Sequence, residues 1–80
     1  MKLKELLKIK ITGAIYIANK NTNIKYLLEY DNGEYHFYDK EKHFFRDIEI
    51  DDTVKEALLE QTIQHITTGH NYLQIYLVES

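Results

Sequence analysis

Apolar and polar residues alternate along the first part of the chain, from Leu7 to Ala18. Alternation with a period of two sends the apolar side chains to one face, and this pattern predicts one half-buried β-strand. Gly13 lies in the middle of the run, where a residue without a side chain is typical of a bend or a bulge. Leu3, Leu6 and Leu7 have helical spacing, so residues 1–6 form either a short helix before the strand or an extension of it.

A second alternating stretch, from Ile24 to Lys40, is divided by Asn32-Gly33. Asn-Gly between two alternating runs is the strongest short-range signal for a β-hairpin, because both turn positions need a positive φ. A two-residue loop then sets the pairing of the two strands. The predicted pairs are Asp31–Glu34, Tyr30–Tyr35, Glu29–His36, Leu28–Phe37, Leu27–Tyr38 and Tyr26–Asp39. The face predicted to join the core carries Tyr26, Leu28, Tyr30, Tyr35 and Phe37.

The next segment carries another alternating run and then a helical pattern. His43 to Ile50 alternates and predicts a further strand. Phe44, Arg46, Ile48 and Ile50 would face one way, and Phe45, Asp47 and Glu49 would face the open side of the sheet. Thr53 and Glu56 have the spacing of a capping box, and the apolar residues that follow recur at helical spacing. We therefore expect a helix from Val54 to Thr68, with Gly69 as the residue after its end.

The chain closes with a last predicted strand, from Tyr72 to Glu79, in which Leu73, Ile75 and Leu77 face inward. Together the patterns predict a single α+β domain over residues 1–80. We expect a small, mainly antiparallel sheet of about five strands, four before the helix and one after it, with one helix packed on one face.

The composition leaves little besides apolar side chains to stabilise the fold. A chain this short buries only about 60% of its unfolded surface, and there is no cysteine for a disulfide or a thiolate metal site. Homodimerisation would bury more surface. The net charge of −3 hides an asymmetry, with six lysines and one acid through Lys25, and four basic and twelve acidic residues after it. Such a split indicates a charged partner or attraction between neighbouring strands.

The location expected from the sequence is the cytoplasm, with no membrane partner. Lys8 and Lys10 interrupt the apolar run that a signal peptide would need, and no segment approaches the roughly 20 apolar residues of a membrane span. The abundance of Lys, Ile, Asn and Tyr corresponds to AT-rich codons, as in a low-GC bacterium, phage or plasmid.

A single helix covers a single face of a sheet, so the opposite face is expected to be open. The residues assigned to that face include Tyr16, Leu27, Tyr38, Tyr72, Gln74 and Tyr76. Tyrosine is frequent among them, and it is enriched at protein interfaces. We therefore expect a non-enzymatic protein-binding module, such as an inhibitor or adaptor encoded by a phage or mobile element, that docks this face or an acidic edge onto a protein. The predicted partner-binding residues are Leu27, Tyr38, Phe45, Asp47, Glu49, Tyr72 and Tyr76.

Two alternatives remain open from the sequence. A nucleic-acid-binding domain would use Lys8 and Lys10 for phosphates and Tyr16 for stacking. A homo-oligomeric module would pair an edge strand or the tyrosine-rich face with its own copy.

Catalytic and metal chemistry find little support in the sequence. The four histidines, His36, His43, His65 and His70, lack the spacing of known metal-binding pairs. His36 is expected to form a cross-strand charge pair with Glu29. The glycines are too dispersed to cradle a phosphate, and no nucleophile lies beside a convincing base. We predict no catalytic residue, no metal and no cofactor.

Overall fold

The computed structural model describes residues 1–9, 11, 13–21 and 23–78, and within them the chain forms two helices and five strands. The helices are α1 (Leu3–Leu6) and α2 (Asp52–Leu59). The strands are β1 (Ala14–Ala18), β2 (Ile24–Asp31), β3 (Glu34–Asp39), β4 (Ile63–Gly69) and β5 (Tyr72–Leu77). Neither of these helices has the length and apolar character needed to cross a membrane. The predicted contact Lys10 and the predicted strand end Glu79 lie outside the described residues.

The five strands form one mixed sheet in the order β3-β2-β1-β5-β4. Strand β1 is antiparallel to β2 and parallel to β5, and the other two neighbouring pairs are antiparallel. The α+β class is confirmed. The predicted order of the elements is wrong, because the last two strands form a hairpin of their own that inserts β5 beside β1.

The Asn-Gly hairpin is confirmed in every predicted pair. Asn32 and Gly33 both have positive φ, 52° and 84°, as a two-residue turn that matches the twist of the strands requires. Leu28, Tyr35 and Phe37 are buried on the core face as expected. Tyr30 lies on the same face but is exposed, because it pairs next to the turn, at the end of the hairpin.

The first strand begins at Ala14, whereas the alternation predicted a start at Leu7. Gly13 has a φ of 95°, which ends the extended conformation at the bend that its position indicated. Tyr35 holds the segment that precedes Gly13 against the core face. Its hydroxyl donates to the carbonyl of Ile9 and accepts from the N–H of Ile11, both at 3.3 Å.

The predicted strand from His43 to Ile50 is wrong, because most of this segment is an irregular loop. Only its end runs beside β3, where two backbone bonds join Asp39 N–H to the Ile48 carbonyl at 2.8 Å and Ile50 N–H to the Phe37 carbonyl at 3.0 Å. Two bonds make an isolated bridge rather than a ladder, so the segment covers part of the outer edge of β3.

The predicted helix from Val54 to Thr68 is also wrong in length and in its cap. The cap is Asp51, whose carboxylate accepts a 2.9 Å bond from the Val54 N–H, and the helix ends at Leu59. Residues 63–69 form β4 instead, because pairing with β5 satisfies a backbone rich in β-branched Ile and Thr. Gly69 ends this strand beside the turn at residues 70–71, and does not follow a helix.

The core lies between the two helices and one face of the sheet. Its fully buried side chains come from α1 and four of the strands: Leu3, Ile15, Leu28, Phe37 and Ile75. Leu58 brings α2 to the same cluster. Leu73, Ile75 and Leu77 all contact this core, which confirms their predicted inward direction. Both helices therefore cover the same face, and no described helix covers the other.

Candidate functional site

One row of side chains crosses the helix-free face of the sheet, which we call the open face, with one residue from each strand. The pairings place Tyr38 of β3, Leu27 of β2, Tyr16 of β1, Gln74 of β5 and Thr67 of β4 side by side. The sequence assigned Leu27, Tyr38 and Gln74 to this face correctly, because the period of two and the hairpin turn together determine which side each residue takes.

An open groove of about 560 Å³ lies over the middle of this row. Its lining is Tyr16, Ile24, Leu27, Lys40, Phe44, Tyr72 and Gln74. Tyr16 and Tyr72 meet edge to face, with ring centroids 6.3 Å apart. The ring of Tyr72 lies over Gly69, its partner on β4, where an added Cβ would collide with the ring. Gly69 thus leaves the space that this wall of the groove occupies.

The opposite wall is the loop from Lys40 to Asp47, which the ammonium of Lys40 organises. Its Nζ donates to the carbonyls of Phe44 at 3.5 Å and Arg46 at 3.2 Å, and pairs with the carboxylate of Asp47. The loop presents two neighbouring rings: Phe44, which lines the groove, and Phe45, which contacts it edge to face at 5.2 Å. Phe45 is 94% exposed, so the structure presents a large apolar ring to solvent.

Toward the hairpin turn the open face becomes acidic. Glu29 and Asp31 project there from β2. His36 lies between two further carboxylates, with Nδ1 3.2 Å from Glu49 and Nε2 3.6 Å from Glu34. We call Glu29, Asp31, Glu34 and Glu49 the acidic strip. The predicted charge pair between His36 and Glu29 is wrong in its partner: the two residues are opposite in the sheet, but the imidazole contacts the other two acids.

The negative charge of the acidic strip affects the pKa of Tyr38. Desolvation raises the pKa of the Tyr38 phenol above its usual value, and the carboxylates of Glu29, Glu49, Asp47 and Asp31 raise it further. The phenol therefore stays neutral and can donate a hydrogen bond, beside a strip that favours positive charge on whatever approaches it.

Tyr76 does not offer the exposed ring that the sequence predicted. Only 6% of the residue is exposed, because the ring stacks on His65 at a centroid distance of 4.2 Å and its hydroxyl bonds to the Gln74 side-chain oxygen at 3.1 Å. The covering imidazole comes from β4, which the sequence had assigned to a helix. Tyr76 packs the open face rather than presenting a contact on it.

The residues predicted for nucleic-acid binding are not brought together in the described part of the chain. Lys8 follows α1, in a segment that Tyr35 holds to the core side, whereas Tyr16 projects from the open face. Lys10 lies outside the described residues. Among the described residues, no three or more His, Cys, Asp or Glu side chains are grouped so that they could hold a metal ion.

Sequence reasoning missed Phe44 as a contributor to the open face, because the alternation assigned it inward with Ile48 and Ile50. It assigned Tyr16 to the open face but named it as a contact only in the nucleic-acid hypothesis, although Tyr16 is the central residue of the row. The signal for Tyr16 was present in the alternation of β1. No sequence signal was available for Phe44, because its position depends on how Lys40 folds the loop.

Comparison with known proteins adds no functional assignment. The chain matches no protein-family model, no curated protein and no solved structure.

Proposed function

We propose that this chain is a small non-enzymatic protein-binding module that docks the open face of its sheet onto a protein partner. The observation that carries the proposal is the groove, where Tyr16, Leu27, Phe44 and Tyr72 converge from four different segments on a face that no described helix covers. Side chains of this kind, gathered around a depression and extended by the exposed ring of Phe45, have the composition of interface hot spots.

Charge indicates what kind of partner fits. Lys40, the lysine that lines the groove, already pairs with the carboxylate of Asp47. Within the described residues Glu29 and Asp31 have no ion pair, and they lie along the same face. The occupant that complements this surface is a protein segment with an apolar side chain for the groove and Lys or Arg for the acidic strip.

A role as an inhibitor or adaptor encoded by a phage or mobile element is consistent with a chain of 80 residues that offers one such surface. The nucleic-acid hypothesis has less support, since Lys8 and Tyr16 lie on different sides of the sheet. The acidic strip would also repel phosphates.

A random peptide library displayed on phage and panned against the purified protein tests the proposal. We expect enriched peptides to share an aromatic or aliphatic residue beside Lys or Arg. Binding of the enriched peptides should weaken about tenfold or more, corresponding to about 1.4 kcal/mol or more, in the variants Tyr38→Ala and Phe45→Ala. The affinity should also fall as salt is added, because the charges are exposed.

The matched control is Val54→Ala, which removes an exposed apolar side chain from α2, on the other side of the molecule. This variant should bind the peptides like the wild type. Thermal unfolding of all variants shows whether a loss of binding reflects a loss of fold. Enriched peptides that bind every folded variant equally, or that bind Val54→Ala alone more weakly, would contradict the assignment of the open face.

A further inference from the structure

The two outer edges of the sheet differ in how far other segments of the chain cover them. The edge at β3 is partly covered by Ile48–Ile50 through two backbone hydrogen bonds, and the strand carries the charged residues Glu34 and Asp39. At the other edge only the first residue of β4 is engaged, since Ile63 N–H donates to the Met1 carbonyl at 2.8 Å. From Gln64 to Gly69, no described segment other than β5 forms a backbone hydrogen bond with β4.

Strand β4 also lacks the side chains that normally prevent edge-to-edge pairing. Its sequence, Ile-Gln-His-Ile-Thr-Thr-Gly, contains no Asp, Glu, Lys, Arg or Pro, and every residue after Ile63 is exposed. Natural edge strands are usually protected by charge, by proline or by a bulge. An irregularity does occur between Ile63 and His65, but the pairing with β5 is regular from His65 to Gly69. The last five residues thus form a regularly paired edge without Asp, Glu, Lys or Arg.

We infer that this edge pairs with β4 of a second copy of the chain, antiparallel about a two-fold axis at Ile66. The uncharged strand brings no like charges together when it meets itself, which is a requirement that a two-fold contact imposes on both partners at once. A charged peptide from another protein would find no complementary charge on β4, whereas the strand's own copy needs none.

The two-fold axis is placed at Ile66 because of the side chains on the core face of the sheet. Across the sheet, Tyr26, Ile17, Ile75 and Ile66 form one apolar row that ends at the edge, where Ile66 remains 39% exposed. A two-fold axis at this position places Ile66 against its own copy and continues the row into the second sheet. His65 then faces Thr67 of the other chain on the open face, and both grooves lie on the same side of one ten-stranded sheet.

Cysteine cross-linking tests both the dimer and its register, because the natural chain has no cysteine. Directly opposite residues in antiparallel strands have Cα atoms about 4.5–5.5 Å apart, within the range of about 4.4–6.8 Å that a disulfide spans. Ile66→Cys should therefore oxidise to a covalent dimer. Thr67→Cys is the matched control, because its copy would lie two residues further along the strand, roughly 8 Å away and out of reach.

The oligomeric state is measured separately by light scattering after size exclusion, from about 1 µM to about 300 µM, a range that spans modest affinities. We expect the wild type to approach twice the chain mass of 9.6 kDa as its concentration rises. Ile66→Lys should remain a monomer throughout, because it opposes two ammonium groups at the axis. Val54→Lys, at a site of similar exposure on α2, should behave like the wild type.

Circular dichroism establishes that each variant is folded. If Ile66→Lys does not fold, the cross-linking of Ile66→Cys and Thr67→Cys still tests the dimer. A wild type that stays at 9.6 kDa over the whole series would overturn the inference. The inference would also be overturned if the wild type and folded Ile66→Lys had equal masses. It would likewise be overturned if a disulfide formed through position 67 rather than 66. The variants Tyr38→Ala and Phe45→Ala should dimerise normally, so this inference and the proposed function succeed or fail independently.

Discussion

Leu3 is expected to be one of the most sensitive positions for stability, although it belongs to a helix of only four residues. The side chain is fully buried against the core, and its N–H donates to the Gln61 carbonyl at 2.9 Å. Lys2 and Lys4 on either side both pair with Glu60, so the segment is fastened to the end of α2. Leu3→Ala removes buried apolar volume at a site whose backbone is held in place.

The cost of such a truncation is about 2–5 kcal/mol when the surroundings cannot collapse, and we expect about 3 kcal/mol here. A domain of this length has a total stability of roughly 4–12 kcal/mol. The melting temperature should therefore fall by about 12–24 °C, since 1 kcal/mol corresponds to about 4–8 °C at this size.

Urea unfolding followed by far-UV circular dichroism measures this loss, with Ile9→Ala as the control. Ile9 is 61% exposed, so its truncation should change the free energy of unfolding by no more than about 0.5 kcal/mol. If Leu3→Ala is too unstable to measure, Leu3→Val gives a smaller loss in the same direction. A loss below about 1 kcal/mol for Leu3→Ala, with an unchanged denaturant slope, would refute the reasoning and show that the N-terminus frays.

Two further predictions concern the contacts that fasten the N-terminal segment. Hydrogen bonds from Lys2 and, to a smaller extent, Lys4 lower the pKa of Glu60 from 4.5 to about 2. The stabilisation of the fold by these two ion pairs is therefore complete above pH 4.5 and is lost as the pH falls toward 2. Calorimetry should find that the Tm of Glu60→Gln is lower at neutral pH and converges on the wild type near pH 2; a constant difference would contradict the linkage. Tyr35→Phe removes both hydroxyl bonds to residues 9 and 11, and should cost about 1 kcal/mol and speed amide exchange at Ile11. Unchanged exchange would show that the bond does not form in solution.

Much of the candidate site follows from the sequence where the determining interactions are local. The Asn32-Gly33 turn sets the hairpin register by its own φ values, and the period of two then places Leu27 and Tyr38 on the open face. Tyr72 and Gln74 follow in the same way from the alternation of β5. Local chemistry also explains the bend at Gly13, although the alternation alone did not show that β1 starts only after it.

What the sequence could not decide depends on which segments pair and pack together in the folded chain. Residues 63–69 carry apolar spacing compatible with a helix, and only pairing with β5 makes them a strand. Because that strand supplies His65, the same pairing buries Tyr76 and leaves the uncharged edge exposed. The wall at Phe44 likewise needs Lys40 to gather three loop acceptors. Periodicity determines which side of a strand a residue takes, whereas tertiary contacts determine whether the strand exists and what covers it.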